Sequence, residues 1–262
     1  MPHQYSLAQS IHVEDRSGIE GALRPDRGVE VHPYGDKNVL LADELLESFW
    51  KAGVVLLGPE VQDRYGLSTP IFIDLRQRLY EDVALIARLG KALHQRLAEI
   101  VGTPPKLQQQ VLGIPDTATP LALATATASL SSIYPLLYAQ LRKQPATYPG
   151  GQLAATLFMG TWKPDREITL IDDVLATGRT KLWAIEQLNK HGIPVARILV
   201  VVDRQEGGDE ILRSRGYPLY SLYTIAELFD YYVTTGKINA STAQNALEYL
   251  HRKKSLHTYG GS

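Results

Sequence analysis

The stretch Ile168 to Thr180, ITLIDDVLATGRT, decides the fold. ITLI is a short apolar run with a β-branched bias and reads as a buried strand. Asp172 and Asp173 follow at its carboxyl end, where open α/β sheets bind their ligands. Two adjacent carboxylates repel each other, so a purely structural role is costly and something must pair with them. Sugar hydroxyls or a metal-bound polyphosphate would serve. Ala176, Thr177, Gly178, Arg179 and Thr180 then make a short turn that opens the helix TKLWAIEQL. Gly178 permits close backbone approach, Thr177 and Thr180 bring hydroxyls, and the helix start presents N–H groups without intrahelical partners. That is a phosphate cradle. A TGxT alone marks an ordinary helix cap; strand, acidic pair, turn and helix in this order point to a sugar phosphate. Neither GxxxxGK[ST] nor GxGxxG occurs, which sets aside a Walker A loop and a dinucleotide fingerprint.

The same alternation extends outward from this stretch. LLADELLESFWKAG, Leu40 to Gly53, has apolar residues at helical spacing and closes on a glycine suited to a helix end. VVLL (Val54 to Leu57) and PIFIDL (Pro70 to Leu75) read as strands, and Glu81 to Val101 as one long amphipathic helix. QQVLGIP, ATPLALATATASLSSI and YPLLYAQLRK read as strand, helix and strand, an order that REITLIDDV, TGRTKLWAIEQLNKHGI and VARILVVVDR repeat. GYPLYSLYTIAELFDYYV and NASTAQNALEYLHRKK add one strand and two helices. Apolar strands alternating with helices imply a mainly parallel sheet covered on both faces. The expected fold is therefore α/β, with a smaller cap built from the N- and C-terminal parts over the ligand cleft. Residues 1–38 are rich in turn formers and read as an N-terminal extension, with one domain over residues 39–262. NAS at Asn239 reads as a helix start, and Phe229, Tyr231 and Tyr232 as core or dimer packing.

Composition narrows the class. A chain of 262 residues with 44% hydrophobic and 21% charged side chains can bury a sizeable core. Lys+Arg at 27 against Asp+Glu at 28 leaves a net charge of -1, so no global field recruits nucleic acid or an anionic membrane, and neither is expected as a partner. With no cysteine, disulfides, thiolate zinc sites and cysteine nucleophiles are excluded. The seven histidines lack HxxxH or HExxH spacing. The start, MPHQYSLAQSIHVEDRSG, lacks the pattern of a signal peptide, and a cytoplasmic location is the expectation.

The order around Asp172 and Asp173 resembles the phosphoribosyl pyrophosphate (PRPP) site of type I phosphoribosyltransferases. STPIFIDLR (Ser68 to Arg76) and VVDRQEGGDEILRSRGYPLYSLYTIAEL (Val201 to Leu228) are similar to orotate phosphoribosyltransferases. GIPDTATPLALA (Gly113 to Ala124) is similar to that family's pyrophosphate loop and following helix. The resemblance implies that Asp172 and Asp173 hold the ribose hydroxyls, that Ala176, Thr177, Gly178, Arg179 and Thr180 hold the 5-phosphate, and that Thr117 belongs to the PRPP site. It assigns Arg204 to orotate, which suits the planar donor fork of a guanidinium. Arg64, in DRYGLS, falls where the family has a lysine and would meet phosphate or base. It further implies a homodimer, and the joining of orotate to PRPP to give orotidine 5-monophosphate and pyrophosphate. Mg2+ would be carried by PRPP, with no direct protein ligand. Asp74 and Arg76 are expected to pair with each other at a strand end.

One part of the family pattern is missing. The mobile loop, donated in trans across the dimer, has the form RKxxKx followed by His or Tyr and Gly. Here Arg142 and Lys143 are present, but Ala146 stands for the catalytic lysine and Pro149 for the glycine. Negative charge builds on the departing pyrophosphate, so a lost donor there costs about 3 to 4 kcal/mol, on the order of 10² to 10³ in rate. Proline also fixes φ and removes an N–H in a loop that has to close. Asp116 adds negative charge beside an anionic ligand. Arg142 and Lys143 compensate in part. Two readings stay open: an orotate phosphoribosyltransferase with a trimmed loop, or a regulatory protein that binds PRPP, orotate or a nucleotide without fast turnover.

Overall fold

Gly53, at φ +65°, turns the chain out of helix α1 (Asp36–Lys51) and into strand β1 (Val55–Leu57) in the computed structural model, which describes residues 36–58, 61, 68–143 and 158–259. The left-handed conformation there is one that glycine adopts without strain. β1 pairs antiparallel with β2 (Ile71–Ile73), Val55 facing Ile73 and Leu57 facing Ile71. The strand expected over Pro70 to Leu75 stops at Ile73, because Asp74 caps helix α2 (Leu75–Glu81) by accepting from Gln77 N at 3.1 Å. The helix expected over Glu81 to Val101 is found as one helix that starts two residues later, Glu81 being the last residue of α2. Asp82 accepts from Leu85 N at 2.9 Å and starts α3 (Val83–Val101). Aspartate favours N-caps over helix interiors, and here it punctuates an otherwise continuous amphipathic pattern.

The remaining elements form the main layer. They are β3 (Gln108–Gly113), α4 (Ala118–Ala128), β4 (Leu137–Leu141), β5 (Phe158–Met159), β6 (Arg166–Leu175), α5 (Arg179–Lys190), β7 (Val195–Asp203), α6 (Gly208–Ser214), β8 (Leu219–Thr224), α7 (Ile225–Thr234) and α8 (Ala240–Tyr259). The six-stranded sheet has the order β5-β4-β3-β6-β7-β8, parallel except for β5, which runs antiparallel to β4. From β3 the chain steps outward to β4; from β6 it steps the other way through β7 to β8. The reversal falls between β3 and β6, and the crevice beyond the carboxyl ends of two such strands is where open α/β sheets bind ligands. β6 runs to Leu175, so Asp172 and Asp173 sit within its last turn of pairing rather than beyond it.

Both faces of the sheet are buried, which is why its strands are nearly continuous apolar runs. Along β7, Leu199 and Val201 pack on the side of α3, α4 and α7, while Ile198 and Val200 pack on the side of α5. Helix α1 is tied to the C-terminal part of the chain. Phe49 meets Tyr223 edge-on at 6.0 Å, and buried Tyr232 donates to the Leu46 carbonyl at 3.2 Å. Phe229 and Tyr232 are core residues, and Asn239 caps α8 by accepting from Thr242 N at 2.8 Å.

Close approach of α4 to the end of β3 is decisive for the crevice. A Cβ on Gly113 would lie 2.2 Å from the Ala118 carbonyl oxygen, which is backbone and cannot yield alone. Gly113→Ala is expected to lower stability by about 1–3 kcal/mol, the usual range for forced overpacking. A urea unfolding midpoint equal to that of the parent would contradict this packing.

Candidate functional site

The turn after β6 is shaped from two directions. Gly178, at φ +80°, is the N-cap of α5, a conformation that a side chain would strain. From the neighbouring strand end, Arg204 N donates to the Leu175 carbonyl at 2.9 Å and Gly208 N to the Ala176 carbonyl at 3.0 Å. A Cβ on Gly208 would stand 2.4 Å from Ala176 O and 3.0 Å from Gly178 N. The two glycines of DRQEGG thus have separate reasons: Gly207 takes φ +93° at the cap of α6, and Gly208 lies against the turn. The helical bonding of α5 begins with Leu182 N to Gly178 O at 3.0 Å. The preceding N–H groups of its first turn have no intrahelical acceptor and suit an anion. Arg179 and Thr180 are exposed and Thr177 is half-buried, so the turn is reachable.

The acidic pair is not held as the sequence suggested. Asp172 is buried, and its Oδ2 lies 2.5 Å from Nζ of Lys181, itself buried on α5. Asp172 Oδ1 accepts from Asp173 N at 2.9 Å. Lys181 also donates to the Val174 carbonyl. The partner that two adjacent carboxylates demand is therefore, for Asp172, internal. Asp173 accepts from Val174 N at 2.7 Å; it is densely surrounded yet keeps some exposure. Burial first and the Asp172 charge second push its carboxyl up to about 7, against the lowering effect of Lys181.

On the other side of the crevice, at the end of β3, Ile114 N donates to Ile171 O at 2.9 Å and joins the segment after β3 to β6. Thr117 is buried, and its Oγ1 accepts from Arg76 Nε at 3.1 Å. Arg76 therefore reaches this loop. It does not pair with Asp74, which caps α2 and stands 4.0 Å from Arg78. Tyr80 donates to the Asp116 carbonyl at 3.4 Å. Lys143, just past β4, pairs with Asp116 at 2.5 Å, and Arg142 Nε lies 2.7 Å from Met159 Sδ. The Lys143–Asp116 pair is exposed and of the kind worth at most about 1 kcal/mol, so it opens readily.

Arg204 lies at the end of β7 but is turned onto buried Glu206, Nη2 to Oε1 at 2.6 Å. Its Nε is buried without a hydrogen-bond partner among the described residues. Asp203 beside it is buried and accepts from Gln205 N at 2.8 Å; burial raises its carboxyl to about 7, helped by Asp209 and Glu210. The sheet thus brings Thr117, Arg142, Lys143, Asp172, Asp173, Ala176 to Thr180 and Arg204 to one edge. Arg64, Ala146 and Pro149 lie outside the described residues. The sequence reading assigns Arg76 to Asp74 rather than to the Thr117 loop and leaves Lys181 unread. The second had a signal: Lys181, Ala184, Ile185 and Leu188 share one helical stripe, and a lysine on the apolar stripe of a helix needs a buried partner.

A mainly parallel sheet with a phosphate turn, an acidic pair and a second loop at its switch point defines a phosphoribosyltransferase fold of type I. Comparison with known proteins carries this to the family. The orotate phosphoribosyltransferase of Aquifex aeolicus is 31% identical over 157 residues, 60% of this chain and 80% of that protein. UMP synthase of Leishmania donovani superposes with a TM-score of 0.62 at 26% identity, over 80% of this chain and 42% of that one, so the chain spans less than half of that relative. Mycobacterium tuberculosis orotate phosphoribosyltransferase, solved in complex with PRPP, has the same fold at TM-score 0.53 and 21% identity, over 72% of this chain and 98% of that one. No family model matches the sequence. The chain belongs to the orotate phosphoribosyltransferase family.

The raised carboxyl of Asp203 has a signed consequence. Its ordinary unfolded value is about 3.9, and in the fold it rises to about 7. Between those values the folded chain binds a proton that the unfolded chain has lost. The stability this contributes is complete below about pH 4 and falls as pH rises toward 7. Asp203→Asn removes that loss, so its melting temperature is expected to gain on the parent's as pH rises through this window and then level off. Melting curves at a series of pH values check this; a difference that does not change with pH would contradict it.

Proposed function

We propose that this chain binds PRPP across the β3/β6 crevice and transfers its phosphoribosyl group to orotate, forming orotidine 5-monophosphate and pyrophosphate in pyrimidine biosynthesis. The observation that carries the reading is the turn Ala176–Gly178, pressed by Gly208 into a fixed shape beside a half-exposed carboxylate, Asp173. N–H groups at the start of α5 and the hydroxyls of Thr177 and Thr180 receive the 5-phosphate. Asp173 accepts from the ribose hydroxyls when ionised. The loop from Ile114 to Thr117, with Arg76 behind it, faces the pyrophosphate, and Lys143 reaches that group once it leaves Asp116. Arg204 serves the base, its buried Nε supplying an unmet donor near the end of β7.

Displacement at the anomeric carbon separates charge, and donors that strengthen as pyrophosphate departs lower the barrier. Among the described residues no cluster of three or more His, Asp or Glu side chains could hold a metal ion. Mg2+ is assigned to PRPP itself, as part of the substrate, because polyphosphate oxygens suit a hard cation. A homodimer fits the exposed apolar side chains of Leu130 and Ile133 just beyond α4, and a cytoplasmic setting fits the reaction. No described helix is long and apolar enough to cross a membrane.

A second reading has its own support. Ala146 and Pro149 remove a donor and a hinge from the loop, and Asp116 occupies the remaining lysine. On that reading the site binds PRPP or a nucleotide as a sensor. Purified protein mixed with PRPP, Mg2+ and orotate separates the two. Orotate consumption at the rates of ordinary enzymes, on the order of 1 to 10³ per second, supports the transferase; saturable PRPP binding without turnover supports the sensor. Ala146→Lys is expected to raise turnover by on the order of 10² or more, and a variant no faster than the parent would contradict the assignment of the missing lysine.

A further inference from the structure

Lys181 stands where helix physics disfavours it. It lies in the first turn of α5, where the helix dipole opposes a cation, and on the apolar stripe with Ala184, Ile185 and Leu188. Only 4% of it is exposed. An ammonium removed from water is costly unless its partners are well placed. They are: Nζ lies 2.5 Å from Asp172 Oδ2 and donates to the Val174 carbonyl. These two groups flank Asp173 on β6. The chain enters the phosphate turn at the end of that strand and leaves it at Arg179, so Lys181 reaches back across the base of the turn it follows.

We propose that Lys181 is a positioning residue of the sugar-phosphate site: by holding the Asp172 carboxylate and the Val174 carbonyl from the first turn of α5, it clamps the phosphate turn at its base and commits Asp172 inward, leaving Asp173 as the carboxylate offered to the sugar hydroxyls. The inference rests on the reading of this crevice as a PRPP site and deepens it, because it divides two carboxylates of equal appearance into one that builds and one that binds. Neighbouring charges are few and can be named. On β6 they are Asp172 and Asp173. Asp203 on β7 also interacts with Lys181, and Asp209 and Glu210 of α6 act on Asp203. Of the helices packed on β6 from the other face, α2 carries Arg76, Arg78 and Glu81, and α4 carries no charged residue. Lys181 lowers the Asp173 carboxyl and Asp172 raises it, so removing the two charges has opposite effects.

The test measures calorimetric binding of ribose 5-phosphate and of PRPP across the neutral pH range, with thermal melting of each protein. Lys181→Met is expected to weaken both ligands about tenfold or more, and to move the midpoint of the pH dependence upward by about one unit. The double variant Asp172→Asn/Lys181→Met leaves no lone buried charge. Its midpoint is expected to fall back to the parent's or below it, because Asp172 raises the Asp173 carboxyl more than Lys181 lowers it, while its affinity stays weak because the clamp is gone. A lysine that only fills space would neither move a pH midpoint nor let a second substitution reverse the move. A folded Lys181→Met protein with parental affinity and midpoint would overturn the inference. So would a double variant with parental affinity, which decides the matter alone if Lys181→Met does not fold. A parent that takes up neither ligand would overturn the PRPP reading itself, and this inference with it.

Discussion

No side chain fits between Gly208 and the carbonyl of Ala176, and much of the site follows from that contact. The start of α6 has to lie flat against the turn that follows β6, which in turn brings Arg204 and Leu175 into backbone register at 2.9 Å. The turn after β6 and the segment after β7 come from different strands, yet they are welded by main-chain hydrogen bonds rather than by side chains. The end of β3 repeats the device. Gly113 admits the first residue of α4 to within reach of the strand, and Ile114 bonds to Ile171 on β6. Two glycine contacts thus fix two loops on either side of one switch point.

Electrostatics sorts the charged residues along that edge by burial. Lys181 with Asp172, and Arg204 with Glu206, are pairs with little water around them, and removing one partner from such a pair leaves an uncompensated charge. Lys143 with Asp116 is exposed and exchanges partners at little cost. The first kind holds geometry; the second is available to a ligand. Arg76, exposed and bonded to Thr117, belongs with the second kind, since among the described residues its guanidinium pairs with no buried carboxylate.

The parallel sheet was legible in ITLIDDVLATGRT because a strand period and a repelling acidic pair lie there in local order, whereas the family was legible as a resemblance of longer stretches, VVDRQEGGDEILRSRGYPLYSLYTIAEL among them. What escaped was non-local or a matter of competing local preference. Asp74 and Asp82 look like loop acids or strand ends until the following helix is seen to need a cap. Helix α6 lies inside a segment read only for its arginine and its family resemblance. The inward turn of Asp172 depends on a lysine nine residues later on another element, and adjacency in sequence made the two carboxylates look equivalent. Arg76 reaches a loop far along the chain, a pairing that no spacing rule discloses.

On the proposed function the braced turn and Asp173 grip the two ends of a phosphorylated sugar, and a crystal structure with PRPP soaked in shows whether they do. The 5-phosphate is expected against the N–H groups at the start of α5, the ribose hydroxyls on Asp173, and Lys181 still on Asp172. A ligand seated with its phosphate away from residues 176–180, or with Asp172 swung out of its pair to take the sugar, would contradict it.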